Sequence, residues 1–466
     1  MAKIVIENPN LGGIADSIYL GQANSVAAAV GLDLHGKPGL IRVNQKLTKE
    51  SGSTVDVRIN CMVQCSDGST YLFGNSGKIY KRTSGGTYSL EATAAPAAGS
   101  ANITGAYEDQ GKIYYFMELR VGRWAVGTAW STRNDSWATF SAGEASFHPA
   151  VEQNLIVYIG DAKFVAQIED DVFTGNALDL KAGTRIRALG RIVSELVIGT
   201  YIAADVWQNH MYRWNTWSES FSSDDEVPEE GVNAIVPTDN FVLVQAGTKG
   251  NLYSYSNDRL ERLMRIPGDW DGSNEAVVHF YAVANRLGIP LFGLSNVSGN
   301  PALQGVYSVG SYGPNYPSIL NLEYIASCGS SSTEITAIVM AGETLLVAWQ
   351  NAGTFGVDKL DASAKYASAY LDTRAVMVDR TERIRVAEVI VAYKSLPSGT
   401  GVNIKININH AGFGDAITTT TDTDQKLIRT TIGLDDANVF QVRIEPTVNG
   451  NTAPEIERVE IILPDS

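Results

Sequence analysis

The chain has 466 residues, of which 44% are hydrophobic and 19% charged, so it is a folded chain with ample apolar surface and not a disordered one. Its formal charge of −15 and isoelectric point near 4.9 argue against a surface that grips nucleic acid, because that affinity rests on Lys and Arg neutralising phosphates. No apolar run reaches the roughly eighteen residues needed to span a bilayer, and Met1 to Glu7 lacks the apolar core of a secretory signal. Synthesis and folding in a cytoplasm, without membrane insertion, are therefore expected.

Residues 1–50 read as a leader rich in small residues. Val26 to Val30 suits one short helix, and Pro38-Gly39 introduces a strand-like run from Leu40 to Leu47. Residues 8–36 are expected on the outside or against a neighbouring subunit.

From Val57 to Leu90 the sequence shows one complete unit of four short strands. Apolar runs are separated by Ser66-Asp67-Gly68-Ser69, Asn75-Ser76-Gly77 and Ser84-Gly85-Gly86, residues that take the positive backbone angles of tight hairpins. The outline returns roughly every 40 to 58 residues, with first-strand anchors at Ile59, Ile103, Phe147, Ile186, Val232, Val277 and Ile335. In the fifth copy, Phe241 to Val244 is apolar on both faces, as a sheet stacked between two neighbours requires. The expected architecture of residues 51–369 is a seven-bladed β-propeller. A propeller has loose edges at its first and last blades, and pairing them removes a template for aggregation. Leu40, Ile41 and Val43 are assigned to the strand that closes the ring.

The fourth copy is rich in aromatic residues, among them Trp207, Trp214 and Trp217, and the sixth carries a long segment with Tyr312 and Tyr316. Core or inter-blade packing is the commoner use of aromatic residues at the density of the fourth copy, and these five are the candidate contacts for a partner or a glycan, since loops on a rigid scaffold often carry binding. After about Tyr370 the texture changes to alternation, as in Val402, Ile404, Ile406 and Ile408, which argues one buried and one wet face. Residues 370–466 are expected to form a β-sandwich, making the chain all-β.

Chemical motifs are sparse. The five histidines are scattered without metal-ligand spacing, and neither a G-x-S-x-G elbow nor a phosphate-binding P-loop occurs. Cys61, Cys65 and Cys328 read as buried small hydrophobes. Asp269, Asp271 and Glu275 are closely spaced but lack the ligand order of a calcium loop, and read as a solvated connection. No cofactor, metal or catalytic residue is assigned.

Gly12-Gly13-Ile14-Ala15-Asp16-Ser17, Leu32-Asp33-Leu34-His35 and the run Pro38 to Leu47 resemble the start of propeller proteins encoded among virion genes of tailed bacteriophages. The resemblance extends through the first blade and to the domain after Tyr370. A functional analogue is the tail nozzle of short-tailed phages, a propeller-bearing subunit that forms a ring around the DNA exit channel. The resemblance implies a non-enzymatic virion tail component that forms a homo-oligomer, contacts other tail proteins and lets DNA pass during genome ejection. Two other readings are a host-surface glycan-binding adhesin and, third, a propeller glycoside hydrolase.

Placing Leu243 in a fully buried strand has a direct consequence. Leu243→Asp is expected to disrupt the fifth unit, losing about 1.5 to 3 kcal/mol of burial before the cost of an unpaired buried carboxylate is added. Thermal unfolding and soluble yield measure it, and a variant that melts with the wild type would show the strand placement to be wrong.

Overall fold

Hairpin chemistry sets the local structure. At the first turn Asp67 Oδ1 accepts the Ser69 amide at 2.9 Å, and Gly68 takes a φ of 78°, a conformation that a side chain disfavours. The computed structural model describes residues 2–6, 12–37, 39–52, 54–202, 209–238, 241–256, 259–270, 274–296, 304–311, 317–329, 333–378, 386–434 and 437–463. They divide into two compact units: a repeat unit of Thr48–Gly305 and Ala326–Lys359, and a terminal unit of Met1–Leu47, Val306–Ile325 and Leu360–Ser466.

In the repeat unit, five successive sheets are four-stranded antiparallel meanders with their strands in chain order. Their first strands are Ile59–Gln64, Ile103–Asp109, Ala150–Gln153, Arg185–Ile192 and Val232–Pro237. A hairpin of Val277–Arg286 and Ile289–Asn296 follows. The last sheet joins Thr333–Ala341, Thr344–Asn351 and Thr354–Lys365, with Gln45–Lys49 as its outer strand. Each first strand packs against the next one, and Thr333–Ala341 returns to Ile59–Gln64, so the series closes on itself. Cores form between sheets, as where Phe73 of the first stacks on Tyr115 of the second at 6.1 Å.

Glu50 holds the closure. It follows the outer strand, is largely buried, and accepts hydrogen bonds from Arg82 Nε at 2.5 Å and Tyr88 Oη at 3.1 Å in the first sheet. Lys359 Nζ of the last sheet lies 3.2 Å away. Burial alone would raise the Glu50 carboxyl, but these donors outweigh it and hold the group below its ordinary value.

Five first strands share one irregularity. The register slips between Ile59 and Cys61, Ile103 and Gly105, Ile186 and Ala188, Val232 and Ala234, and Ile335 and Ala337. The extra residue is polar every time: Asn60, Thr104, Arg187, Asn233 and Thr336. A bulge leaves one residue unpaired and re-aims its side chain. Of the seven anticipated anchors, six fall in first strands, while Phe147 precedes its strand by three positions.

The β-branched anchors also explain three second-strand glycines. A Cβ on Gly160 would overlap Ile186, one on Gly199 would overlap Val232, and one on Gly293 would overlap Ile335. Neighbouring sheets approach at these places to a distance that only glycine permits.

The terminal unit packs two sheets across one core. One has the order Ala2–Ile6, Ile456–Leu463, Val386–Tyr393, Leu427–Gly433. The other contains Val306–Gly310, Ile319–Tyr324, Ala28–Val30, Tyr370–Asp372, Val439–Thr447, Gly401–Ile408 and Thr418–Thr420. Val389, Val391, Val459 and Ile461 meet Val402, Ile404, Phe440 and Val442 between them.

Here the leader departs from expectation. Ala28–Val30 is a strand and not a helix, bonded antiparallel to Tyr370–Asp372 and parallel to Ile319–Tyr324. Val26, Ala29, Leu32 and Leu34 are buried, so this part of the leader is core and not an outer arm. Its small and β-branched residues fill space between strands, which outweighs the helix propensity of an alanine run. The proposed closing strand shifts as well. Leu40, Ile41 and Val43 are buried in the terminal unit, where Ile41 exchanges backbone hydrogen bonds with Ile456 at 2.9 and 3.1 Å. Closure falls to Gln45–Lys49 instead.

A buried polar network anchors His35 within that unit. Ser308 Oγ donates to Glu323 Oε1 at 2.7 Å and lies 2.9 Å from His35 Nε2, and Asn44 and Asn321 donate to the same carboxylate.

The glycine fit is open to test. Gly293→Val is expected to cost about 1 to 3 kcal/mol in chemical denaturation, the usual penalty of overpacking. Gly433→Ala, where a Cβ meets open space, is the neutral control.

Candidate functional site

Residues at and beside the anchors line a cavity of about 300 Å³ inside the repeat unit. Arg58 and Glu334 each precede an anchor, in the first and last sheets, and pair at 2.8 Å from Nη1 to Oε2. This ion pair spans the junction at which the series closes.

Arg187 is the bulged residue of the fourth sheet. Its guanidinium lies over the rings of Phe147 and Tyr201, at 5.0 and 5.2 Å, an attraction of the cation for the ring faces. Burial holds it below its ordinary basicity, with Tyr201 and Glu275 partly offsetting that. His279 opposes it from the Val277–Arg286 strand. Its Nδ1 accepts the Tyr281 amide at 3.3 Å, and its own amide donates to Ser295 Oγ at 2.9 Å. Burial, then repulsion from Arg58 and Arg187, pushes the imidazole down to about 3, so it is neutral at pH 7.

The same inner layer ties sheet to sheet. Asn60 Nδ2 donates to Ile103 O at 2.9 Å, Gln245 Nε2 to Ala276 O at 2.9 Å, and Ser295 Oγ to Ile335 O at 2.5 Å. Thr104 Oγ1 lies 2.7 Å from Nδ1 of His148, an imidazole that burial pushes down to about 3. Two guanidiniums, two carboxylates and a neutral imidazole balance in charge, which suits fastening the inner strands and hydrogen-bonding a small polar molecule.

The anticipated contact residues scatter. Trp214 is buried, packs edge-on to Tyr158 at 5.5 Å and donates Nε1 to Ser218 O at 2.8 Å, so it is core and not a binding surface. Its flat ring fills the gap between the third and fourth sheets. Trp217 is 82% exposed. Trp207, Tyr312 and Tyr316 lie outside the described residues. Cys61 and Cys65 are buried as expected, whereas Cys328 is half-buried with Sγ 3.2 Å from Thr333 Oγ1. Carboxylates near Asp225 are engaged: Asp225 accepts from Tyr255, and Glu229 accepts from Asn251 and Tyr253 at 2.6 Å. Among the described residues, no three His, Cys, Asp or Glu side chains gather to hold a metal ion. The inner layer was missed by sequence reasoning, yet it had a signal: a β-branched residue followed by a polar one, as in Ile59-Asn60, Ile103-Thr104, Ile186-Arg187, Val232-Asn233, Val278-His279 and Ile335-Thr336.

No protein-family model and no curated protein matches the chain. Solved structures do. The WD40 repeats of RRP9 are similar with a TM-score of 0.50 at 12% identity, covering 67% of this chain and 98% of that one. U3-55K gives 0.50 at 12% identity, covering 67% and 97%. The WD40 propeller domain of Doa1 gives 0.46 at 10% identity, covering 68% and 97%. At such identities the first two speak for fold alone: the chain is all-β and carries a β-propeller.

The two neutral imidazoles predict acid sensitivity. Their folded-state values lie below the ordinary 6.5, so protonation favours the unfolded chain and stability falls as pH drops from about 6.5 towards 3, by up to about 1.4 kcal/mol per unit for each histidine. In thermal melts across this range, His148→Gln with His279→Gln is expected to flatten the slope.

Proposed function

We propose that this protein is a non-enzymatic structural subunit of a bacteriophage tail, nozzle-like or at the tail tip, acting in the virion as a homo-oligomeric ring bound to other tail proteins. In this reading the propeller has seven blades, the hairpin Val277–Arg286 and Ile289–Asn296 being the inner half of the sixth, and the C-terminal domain is a β-sandwich. The observation that carries it is where the resembling leader residues go. Ala15, Leu32, Leu34, Ile41 and Val43 are buried in the terminal unit, and a Cβ on Gly13 would overlap Ile319. The likeness to phage propeller proteins therefore rests on residues that build architecture. The net charge of −15 suits a wall past which DNA slides without sticking.

A second reading, a glycan-binding adhesin, is favoured by one observation. Trp217 presents a large ring to solvent, as sugar-stacking residues do.

Electron microscopy of the purified protein with particle mass recorded in parallel separates the two. The tail reading expects closed rings with a hole wide enough for duplex DNA. Solid trimers or monomers that give signal in a glycan-binding screen, lost in Trp217→Ala, would replace it with the adhesin.

A further inference from the structure

The terminal unit holds a second cavity, of about 490 Å³, whose lining runs against the sign of the chain. Arg42, Lys365 and Lys394 face it with one carboxylate, Glu455, in a protein of net charge −15. Glu455 engages two of the three cations: Arg42 Nε lies 2.7 Å from its Oε1, and Lys394 Nζ 2.9 Å from its Oε2. Both pairings hold the Glu455 carboxyl below its ordinary value, Lys394 first and Arg42 with it. Lys365 is half-buried at the same wall. Burial and the charge of Arg42 act against its ammonium, while Asp33 and Glu455 favour it.

The backbone around these groups is fixed. Ile41 and Ile456 exchange hydrogen bonds, Lys394 N donates to Glu455 O at 3.0 Å, and Lys365 N donates to Gly450 O at 2.9 Å. Three cations on a fixed backbone, set against Glu455 in the lining and Asp33 beside Lys365, leave an excess of positive charge. Asn451, Thr452 and Ser395 also line it, beside the apolar Val43, Pro397 and Ala453, and the Thr452 hydroxyl donates to Asn449 O at 2.7 Å. Such a cavity matches a compact, doubly charged oxyanion with several acceptor oxygens. We propose that it binds a phosphate group, with Lys365 and Arg42 as the principal donors and Glu455 setting their positions. The proposal stands independently of the tail reading.

Phosphate of this kind occurs as the free ion or on a small ester, and the test separates them. Inorganic phosphate and a 5′-nucleoside monophosphate are each titrated into the full chain at constant ionic strength, with chloride as control, by calorimetry and thermal shift. Saturable binding of the phosphate probes but not chloride is expected, equal for both probes if the free ion suffices and tighter for the ester if the rest of the molecule contributes. Lys365→Met is expected to weaken binding at least tenfold, Lys365→Arg to retain it, and the remote surface variant Lys163→Met to leave it unchanged. If Lys365→Met melts well below the wild type without ligand, Lys394→Met carries the same expectation. No saturable binding to the wild type, or binding undiminished in the folded cavity variant, overturns the proposal.

Discussion

The repeat unit depends on one constraint: a ring of sheets has no stable form unless its last member is fastened to its first. Glu50 provides the fastening, a largely buried carboxylate held from one side by Arg82 and Tyr88 and from the other by Lys359. Enclosing charge is costly, and a buried pair adds little net stability over apolar packing. Losing one partner, however, leaves an uncompensated charge that costs about 3 to 5 kcal/mol. The arrangement therefore punishes opening more than it rewards closing. Arg58 and Glu334 repeat the logic nearer the centre of the ring.

Between these fastenings three inner strands, those of Ile186, Val232 and Ile335, follow one rule. A β-branched anchor fills the space left by a glycine on the preceding sheet, and the next residue bulges to point a polar group inward. Packing and hydrogen bonding thus come from adjacent positions of the same strand. The two needs conflict in a regular strand, whose neighbours face opposite sides of the sheet, and the bulge resolves the conflict.

Much of this was legible in the residues. Turn chemistry such as Asp67-Gly68 and doubly apolar strands such as Val242–Ala246 announced stacked four-stranded sheets, because both signals are local. What stayed hidden depended on partners far away in sequence. Ala28–Val30 is a strand only because Tyr370–Asp372 and Leu322 flank it. Ile41 and Val43 look like any edge strand until Ile456 is known to lie opposite. Trp214 and Trp217 are three residues apart and chemically alike, yet one is core and the other faces water, a difference set by the neighbouring sheet. The cavity at Arg42 is likewise assembled from three distant segments, so no spacing rule reveals it.

The terminal unit encloses the repeat unit in sequence: Ala2–Ile6 pairs with Ile456–Leu463, and Ile41 bonds to Ile456. On a ribosome, then, Ala2–Ile6 waits for Ile456–Leu463 to be made. Until the segments after Leu360 are made, Val26, Leu32 and Leu34 lack most of the core they enter, and the outer strand at Gln45–Lys49 waits for Thr354–Lys365. Contacts of such long sequence separation form slowly and leave apolar surface exposed meanwhile. The intermediate sheets can stack as they emerge, each on the one before, so the ring of sheets is sealed only once Thr354–Lys365 has been made.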